Sequence, residues 1–227
     1  IFSFYINFYY ANIGVLPIDT FAFFDTSYNI LNGRHPFKDI WVTTGPFVDY
    51  LQAFFFKIFG NNWNSYIIHG SFLNALVSYL FFTTLISLNL NRIYSLFYAL
   101  GLGALCYTIS GTPFAYIHSY VFSLISILIF NLCIFKRENK FFFLLPLIMS
   151  MGFLSMQNPS TLINFIIIIC LFYIFLKRKN KSHIYSFFAG CFTVIVLLII
   201  FFIITKIPFE KFFQQYFLFP LTMGEYR

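Results

Sequence analysis

Charged side chains are scarce in this sequence. Only 9% of its 227 residues are charged, whereas 60% are hydrophobic. A water-soluble domain of this length needs many more polar residues to cover its surface. The composition therefore excludes an ordinary soluble domain, and the long apolar runs leave no room for a separate one.

Acidic residues are the scarcer charged class, with seven Asp and Glu against fourteen Lys and Arg and a net charge of +7. A basic chain can bind nucleic acid, but the basic residues here do not form a patch with interleaved aromatic residues. They lie in short clusters between apolar runs, as do the residues that orient membrane helices. We therefore expect membrane lipids as partners and no nucleic acid.

Patterns for disulfides, metals and cofactors are also lacking. No two of the four cysteines have metal-ligand spacing, and all lie in apolar runs, where small buried thiols are expected: Cys106, Cys133, Cys170 and Cys191. The sequence has no glycine-rich phosphate loop and no nucleophile–base pair, so it predicts neither a metal nor a cofactor. It also lacks the basic start of a signal peptide, and we expect a fragment of a longer protein.

The apolar runs predict about seven transmembrane helices, since roughly 20 apolar residues cross a hydrocarbon core of about 30 Å. The predicted spans are 1–16, 64–88, 93–110, 117–135, 141–156, 161–176 and 184–205. Short connections make the second to seventh spans antiparallel neighbours. The expected fold is all-α, a polytopic membrane helix bundle that forms a single domain over residues 1–227.

The distribution of charge predicts the orientation of the bundle. If segment 17–63 lies outside, the inner loops hold eight of the fourteen basic residues: Arg92, Lys136, Arg137, Lys140, Lys177, Arg178, Lys179 and Lys181. The short outer connections at 110–117 and 157–160 hold none, which is the positive-inside pattern. Six of the seven acidic residues fall outside, all except Glu138. We therefore expect any chemistry on the outer side, where segment 206–227 also lies.

The outer segment 17–63 predicts two amphipathic helices on the membrane surface. The first covers residues 20–32, with Asp19 as its N-cap and Gly33 at its end. Its apolar stripe consists of Phe21, Phe24, Tyr28 and Leu31.

The second helix covers residues 46–59, since Pro46 suits a first helical position and Gly60 a stop. Asp49 and Gln52 lie on its polar side, opposite an apolar stripe of Phe47, Leu51, Phe54 and Ile58. Helices of this kind lie along a membrane and do not cross it.

Elements of this segment resemble the first periplasmic loop of the GT-C glycosyltransferases. They are Asp19 after the first span and fourteen residues before Gly33, the motif Pro-Phe-Lys-Asp at 36–39, and the Gly-Pro at 45–46 that opens a helix ending in Phe-Gly. The superfamily includes the protein O-mannosyltransferases and the lipid A aminoarabinose transferases. Its shared module has seven spans and two interfacial helices. Many members have Asp-Glu where this chain has Asp-Thr.

The resemblance implies that a sugar passes, with inversion, from a polyprenyl-phosphate donor to a hydroxyl of a glycan, lipid or protein acceptor. It maps the catalytic base onto Asp19, which would take the proton of the attacking hydroxyl. The departing phosphate needs cations or amide donors, and the candidates are Arg34, His35, Lys38, Lys206, Lys211 and Arg227. The Ile-, Phe-, Asn- and Lys-rich composition favours a bacterial inner membrane, with the site on the periplasmic side.

Four further residues are candidates for substrate binding: Asp25, Asp39, His118 and Gln157. Each also has an ordinary structural explanation, such as an exposed helix residue, a salt bridge to the basic linker or a hydrogen-bonded interface residue. His69 is a weaker candidate at the outer end of the second span, and His183 beside the inner basic run is the weakest.

Two other functions stay open. A transporter or lipid flippase would call for inverted repeats and ionisable residues near the membrane midplane. Neither is visible, because the centres of the second to seventh spans contain no Asp, Glu, Lys or Arg. Nothing in the sequence excludes a non-catalytic scaffold or a polymer-ligase partner.

Overall fold

The computed structural model describes residues 1–14, 17–108 and 110–223, and only the backbone at 17–19. No β-strand occurs in this described part. Its helices are α1 (Phe2–Tyr10), α2 (Pro17–Leu31), α3 (Phe47–Phe59), α4 (Trp63–Ser87), α5 (Arg92–Leu105), α6 (Ala115–Phe135), α7 (Asn139–Ser155), α8 (Gln157–Arg178), α9 (Lys181–Thr205), α10 (Phe209–Phe213), a π-helical turn (Gln214–Leu218) and α11 (Phe219–Thr222).

Four helices in the described residues are long and apolar enough to cross a membrane: α4, α6, α8 and α9. The apolar helices α5 and α7 have only 14 and 17 residues, or about 21 and 26 Å at 1.5 Å per residue. Helix α1 has nine residues. The count of seven spans is therefore wrong by this measure, because the hydropathy pattern included residues that follow a helix, such as 106–108, in the predicted span.

The predicted positions of α2 to α9 agree with the structure, including the two helices in segment 17–63, whereas no helix was predicted where α10, the π-helical turn and α11 lie. Helix α2 begins at Pro17, so Asp19 lies in its first turn and is not the predicted N-cap. Proline is favoured at a first helical position because its φ is already helical. Gly33 and Gly60 follow α2 and α3 with φ of +77° and +85°, which explains why glycine stands there.

The core lies between α4, α6, α7 and α8, where buried aliphatic side chains pack together: Leu73, Val77, Val121, Ile125, Leu145, Ile167 and Leu171. Helix α9 packs on α7 at Gly190, where a Cβ would lie 2.3 Å from the Phe143 carbonyl oxygen. Most of the Ile, Leu and Phe side chains of α9 are exposed, as expected for a lipid-facing helix.

Segment 17–63 covers one end of the bundle. Tyr66 of α4 donates a hydrogen bond to the Thr20 carbonyl at 2.7 Å, and the Gly45 amide donates to the Ser155 carbonyl at 3.0 Å. The Gln215 amide donates to the Phe37 carbonyl at 3.1 Å. These bonds join α2, α3 and the C-terminal segment around one end of the bundle.

Candidate functional site

The polar side of α3 faces the bundle. Asp49 and Gln52 are 1% and 0% exposed, whereas Phe54 and Ile58 on the apolar stripe are 57% and 55% exposed. In a membrane protein the apolar stripe can face lipid, and the polar groups then turn to the interior. The sequence placed the acid and the amide on one face of the helix but did not indicate that this face is buried.

Asp49 lines a cavity of about 290 Å³ beneath α2 and the following linker. The other lining residues are Ala22, Phe23, Thr26, Trp41, Val42, Thr43, Thr44 and Phe114. The Asp49 Oδ1 atom is buried without a hydrogen-bond partner among the described residues. Burial raises the pKa of this carboxyl well above its usual range, which favours the neutral acid. A neutral carboxyl can both donate and accept a hydrogen bond.

Behind this cavity, a hydrogen-bond network joins α3, α4 and α6. Gln52 Oε1 lies 2.8 Å from His69 Nδ1, and His69 Nε2 lies 3.0 Å from His118 Nε2. His118 Nδ1 lies 2.7 Å from the Tyr107 hydroxyl and 3.0 Å from the Phe114 carbonyl. All four side chains of the network are buried. Phe114 also lines the cavity, so this network supports its inner wall.

The basic linker lies beside α3. The His35 backbone amide donates to Asp39 Oδ2 at 2.8 Å, and this bond lowers the pKa of Asp39. The salt bridge expected for Asp39 is therefore replaced by a backbone contact; the sole ion pair in the described part joins Lys140 and Glu138. His35 Nδ1 lies 2.8 Å from the Tyr50 hydroxyl, and burial, followed by the charge of Lys38, lowers the pKa of His35.

The remaining predicted residues lie apart from this cavity. Asp25 is exposed and accepts a hydrogen bond from Asn29 at 3.1 Å. The Gln157 amide donates to the Tyr216 carbonyl and so anchors the C-terminal segment. His183 stacks on Phe142 with ring centroids 4.3 Å apart, at the opposite end of the bundle.

Two predicted residues fall outside the described atoms. The side chain of Asp19 lies outside the described residues, although its backbone belongs to α2, and Arg227 lies beyond residue 223. The predicted base and one predicted phosphate ligand therefore have no described geometry. In the described part, no group of three His, Cys, Asp or Glu side chains could hold a metal ion.

An apolar groove of about 200 Å³ runs between α3, α7 and α9. Its walls include Phe47 and Tyr50 of α3, Leu147 and Met151 of α7, and Phe201 of α9. Tyr50 also contacts His35, so the groove lies next to the basic linker.

No family model, curated protein or solved structure matches this chain. The sequence pointed to His118 and, more weakly, to His69 as candidate site residues, but not to Asp49, Gln52 or Tyr107. The available signal was an acid and an amide three positions apart on a helix whose only other charged residue is Lys57.

Proposed function

We propose that this chain is the membrane module of an inverting glycosyltransferase. It would move a sugar from a polyprenyl-phosphate donor to an acceptor hydroxyl at the periplasmic face of a bacterial inner membrane. One observation carries the proposal: the segment between α1 and α4 forms two helices beside a cavity that contains the Asp49 carboxyl and an adjacent apolar groove.

The groove and the basic linker suit the two parts of the donor. A polyprenyl chain is apolar and fits walls of Phe, Leu and Met side chains. Its phosphate needs cations, and the linker offers Arg34 and Lys38, both exposed. Tyr50 connects the two regions, because it lines the groove and its hydroxyl contacts His35 at 2.8 Å.

In the proposed reaction, the Asp19 carboxylate takes the proton of the acceptor hydroxyl as the oxygen attacks the anomeric carbon. The new carbon–oxygen bond forms opposite the bond to phosphate, and the lipid phosphate leaves with that bonding pair. Because phosphate is a good leaving group, no general acid is required. The backbone of Asp19 lies in the first turn of α2, where the helix dipole stabilises negative charge.

The test is transfer from a polyprenyl-phosphate sugar in membranes that carry Asp19→Asn. Loss of a general base lowers the rate by about 10²–10⁴, whereas Asp25→Asn should have a much smaller effect. Wild-type turnover by Asp19→Asn would rule out the mechanism. A larger loss with Asp25→Asn would identify Asp25 as the base.

The buried pair His69 and His118 is the one observation that favours transport, since ionisable groups inside membrane helices often serve proton movement. However, His69 is the seventh residue of α4 and His118 the fourth of α6. Both lie within about two turns of a helix end and not near the midplane that a transporter uses. We therefore prefer glycosyl transfer to a transporter or lipid flippase.

A further inference from the structure

We infer that the cavity lined by Asp49 binds a pyranose ring, with the Asp49 carboxyl as its principal hydrogen-bonding group. The choice of ligand class rests on the proposed function. The choice of residues is independent of the proposed function, because neither the resemblance in the sequence nor the proposed mechanism uses Asp49, Thr43 or Trp41.

The unpaired carboxyl is the first reason. A buried polar atom without a partner lowers the stability of the folded state, and Asp49 Oδ1 is such an atom among the described residues. Leucine or asparagine would fit an α-helix at least as well as aspartate does. Oδ1 has almost no accessible surface in the unliganded protein, so a ligand hydroxyl would become its partner after the side chain turns toward the cavity. A protonated carboxyl can both accept a hydrogen bond from that hydroxyl and donate one to it.

The rest of the lining suits a neutral polyol. Thr26 donates its hydroxyl hydrogen to the Ala22 carbonyl at 2.9 Å, so its oxygen can still accept a hydrogen bond from a ligand. Thr43 and Thr44 add two more hydroxyls, and the described lining contains no Lys or Arg. A phosphate or carboxylate ligand would therefore find no counter-charge in this cavity.

Two aromatic rings complete the cavity. Trp41 is 61% exposed and packs edge-on against Phe219, with ring centroids 5.5 Å apart, while Phe114 lies at the inner wall. Aromatic faces offer an apolar surface for the C–H side of a sugar ring. The volume of about 290 Å³ is close to the lower limit of about 300 Å³ for small-molecule sites, so one ring fits better than a chain of sugars.

Tryptophan fluorescence offers a direct test, because the chain contains only two tryptophans. Trp63→Phe leaves Trp41 as the sole indole, at the rim of the cavity. The chain is placed in lipid nanodiscs, since the head group of an alkyl glycoside detergent would itself compete. Methyl glycosides of mannose, glucose and galactose are then titrated, with glycerol as the control for solvent effects. We expect a saturable change with at least one glycoside and none with glycerol.

Substitutions in the Trp63→Phe background assign the binding to Asp49. Asp49→Leu should weaken binding at least about tenfold, as the loss of a buried hydrogen bond does. Asp49→Asn should remain within about threefold, because an amide also donates and accepts. Val48→Ala, which removes buried volume from the neighbouring position, is the matched control and should bind as the parent does. Without ligand, Asp49→Leu should also unfold at a higher temperature than the parent.

Three results would overturn the inference: no saturable response to any glycoside, unchanged affinity in Asp49→Leu, or a lower unfolding temperature in that variant. If Asp49→Leu does not fold, Thr44→Val removes one lining hydroxyl at nearly constant shape, and unchanged affinity there would be equally contradictory. Binding without any sugar transfer would refute the proposed function alone. Transfer that is unaffected by Asp49→Leu would refute this inference alone.

Discussion

The Nε2 atoms of His69 and His118 lie 3.0 Å apart in the buried network, so one hydrogen lies between them when both rings are neutral. If His118 provides it, Tyr107 donates to His118 Nδ1 and His69 donates to Gln52 Oε1. If His69 provides it, His118 donates to the Phe114 carbonyl, and the Gln52 amide must turn so that its Nε2 donates to His69. Gln52 Nε2, which now has no partner, would then be paired, but Oε1 would take its unpaired position. The network therefore has two proton arrangements, and they differ in which ring nitrogens carry hydrogen and in the orientation of the Gln52 amide.

The network should contribute measurably to stability. Gln52→Leu leaves His69 Nδ1 buried and unpaired, which should lower the free energy of unfolding by about 1–3 kcal/mol. The double variant Gln52→Leu/His69→Leu should lose less than the sum of the two single variants, because the partners interact directly. Chemical unfolding in nanodiscs would measure both effects. Gln214→Leu is the control, since Gln214 is exposed, and strictly additive losses would contradict the network.

Acid should destabilise the linker at residues 34–39. Burial and Lys38 lower the pKa of His35, so the unfolded chain binds more protons than the folded one and stability falls as the pH drops below about 6.5. NMR titration should show His35 with a pKa below the usual range. Lys38→Gln should raise it, because one of the two lowering causes is removed. A pKa of His35 at or above the usual value would contradict the buried contact with Tyr50.

The exposed cations of the linker should act in donor binding. Arg34→Gln or Lys38→Gln should raise the KM for a polyprenyl-phosphate sugar by about tenfold, as expected for a lost charge-assisted hydrogen bond. The kcat should fall as well, because the phosphate gains negative charge as it departs and the lost cation would have stabilised that charge in the transition state. Lys57→Gln on α3 is the control, since Lys57 is exposed and lies outside the linker. An equal rise in KM for Lys57→Gln would indicate a general charge effect.

The contact between α7 and α9 should tolerate no side chain at Gly190. In Gly190→Ala the new Cβ would lie 2.3 Å from the Phe143 carbonyl oxygen, so the helices must separate at a cost of about 1–3 kcal/mol. Gly101→Ala is a matched control, because its Cβ would have no neighbour within 4 Å, and alanine there should be neutral or stabilising. The midpoints of thermal unfolding would compare them. Equal stability of the two variants would show that α9 does not depend on this contact.

The sequence alone was sufficient to predict helices α2 to α9, but not α10, the π-helical turn or α11. Apolar runs separated by polar loops predicted α4 to α9, and Pro and Gly signals predicted α2 and α3, because these signals act within a few residues of the chain. The number of spans was less well predicted, since hydropathy does not show where a helix ends within an apolar run. Helix α5, for example, ends at Leu105 although the apolar run continues.

The orientation of side chains was decided by the tertiary structure. The spacing of Asp49 and Gln52 placed both on one face of α3, but the same spacing also fits a helix whose polar face is exposed to water. Packing against α4 and α6 turned that face inward, where Gln52 meets His69, and α2 with its linker completed the cavity around Asp49. These contacts join residues far apart in the chain, so the helical period of any one segment cannot reveal them. The sequence thus determined which segments are helical and which side of each is polar, whereas only packing decided which side is buried.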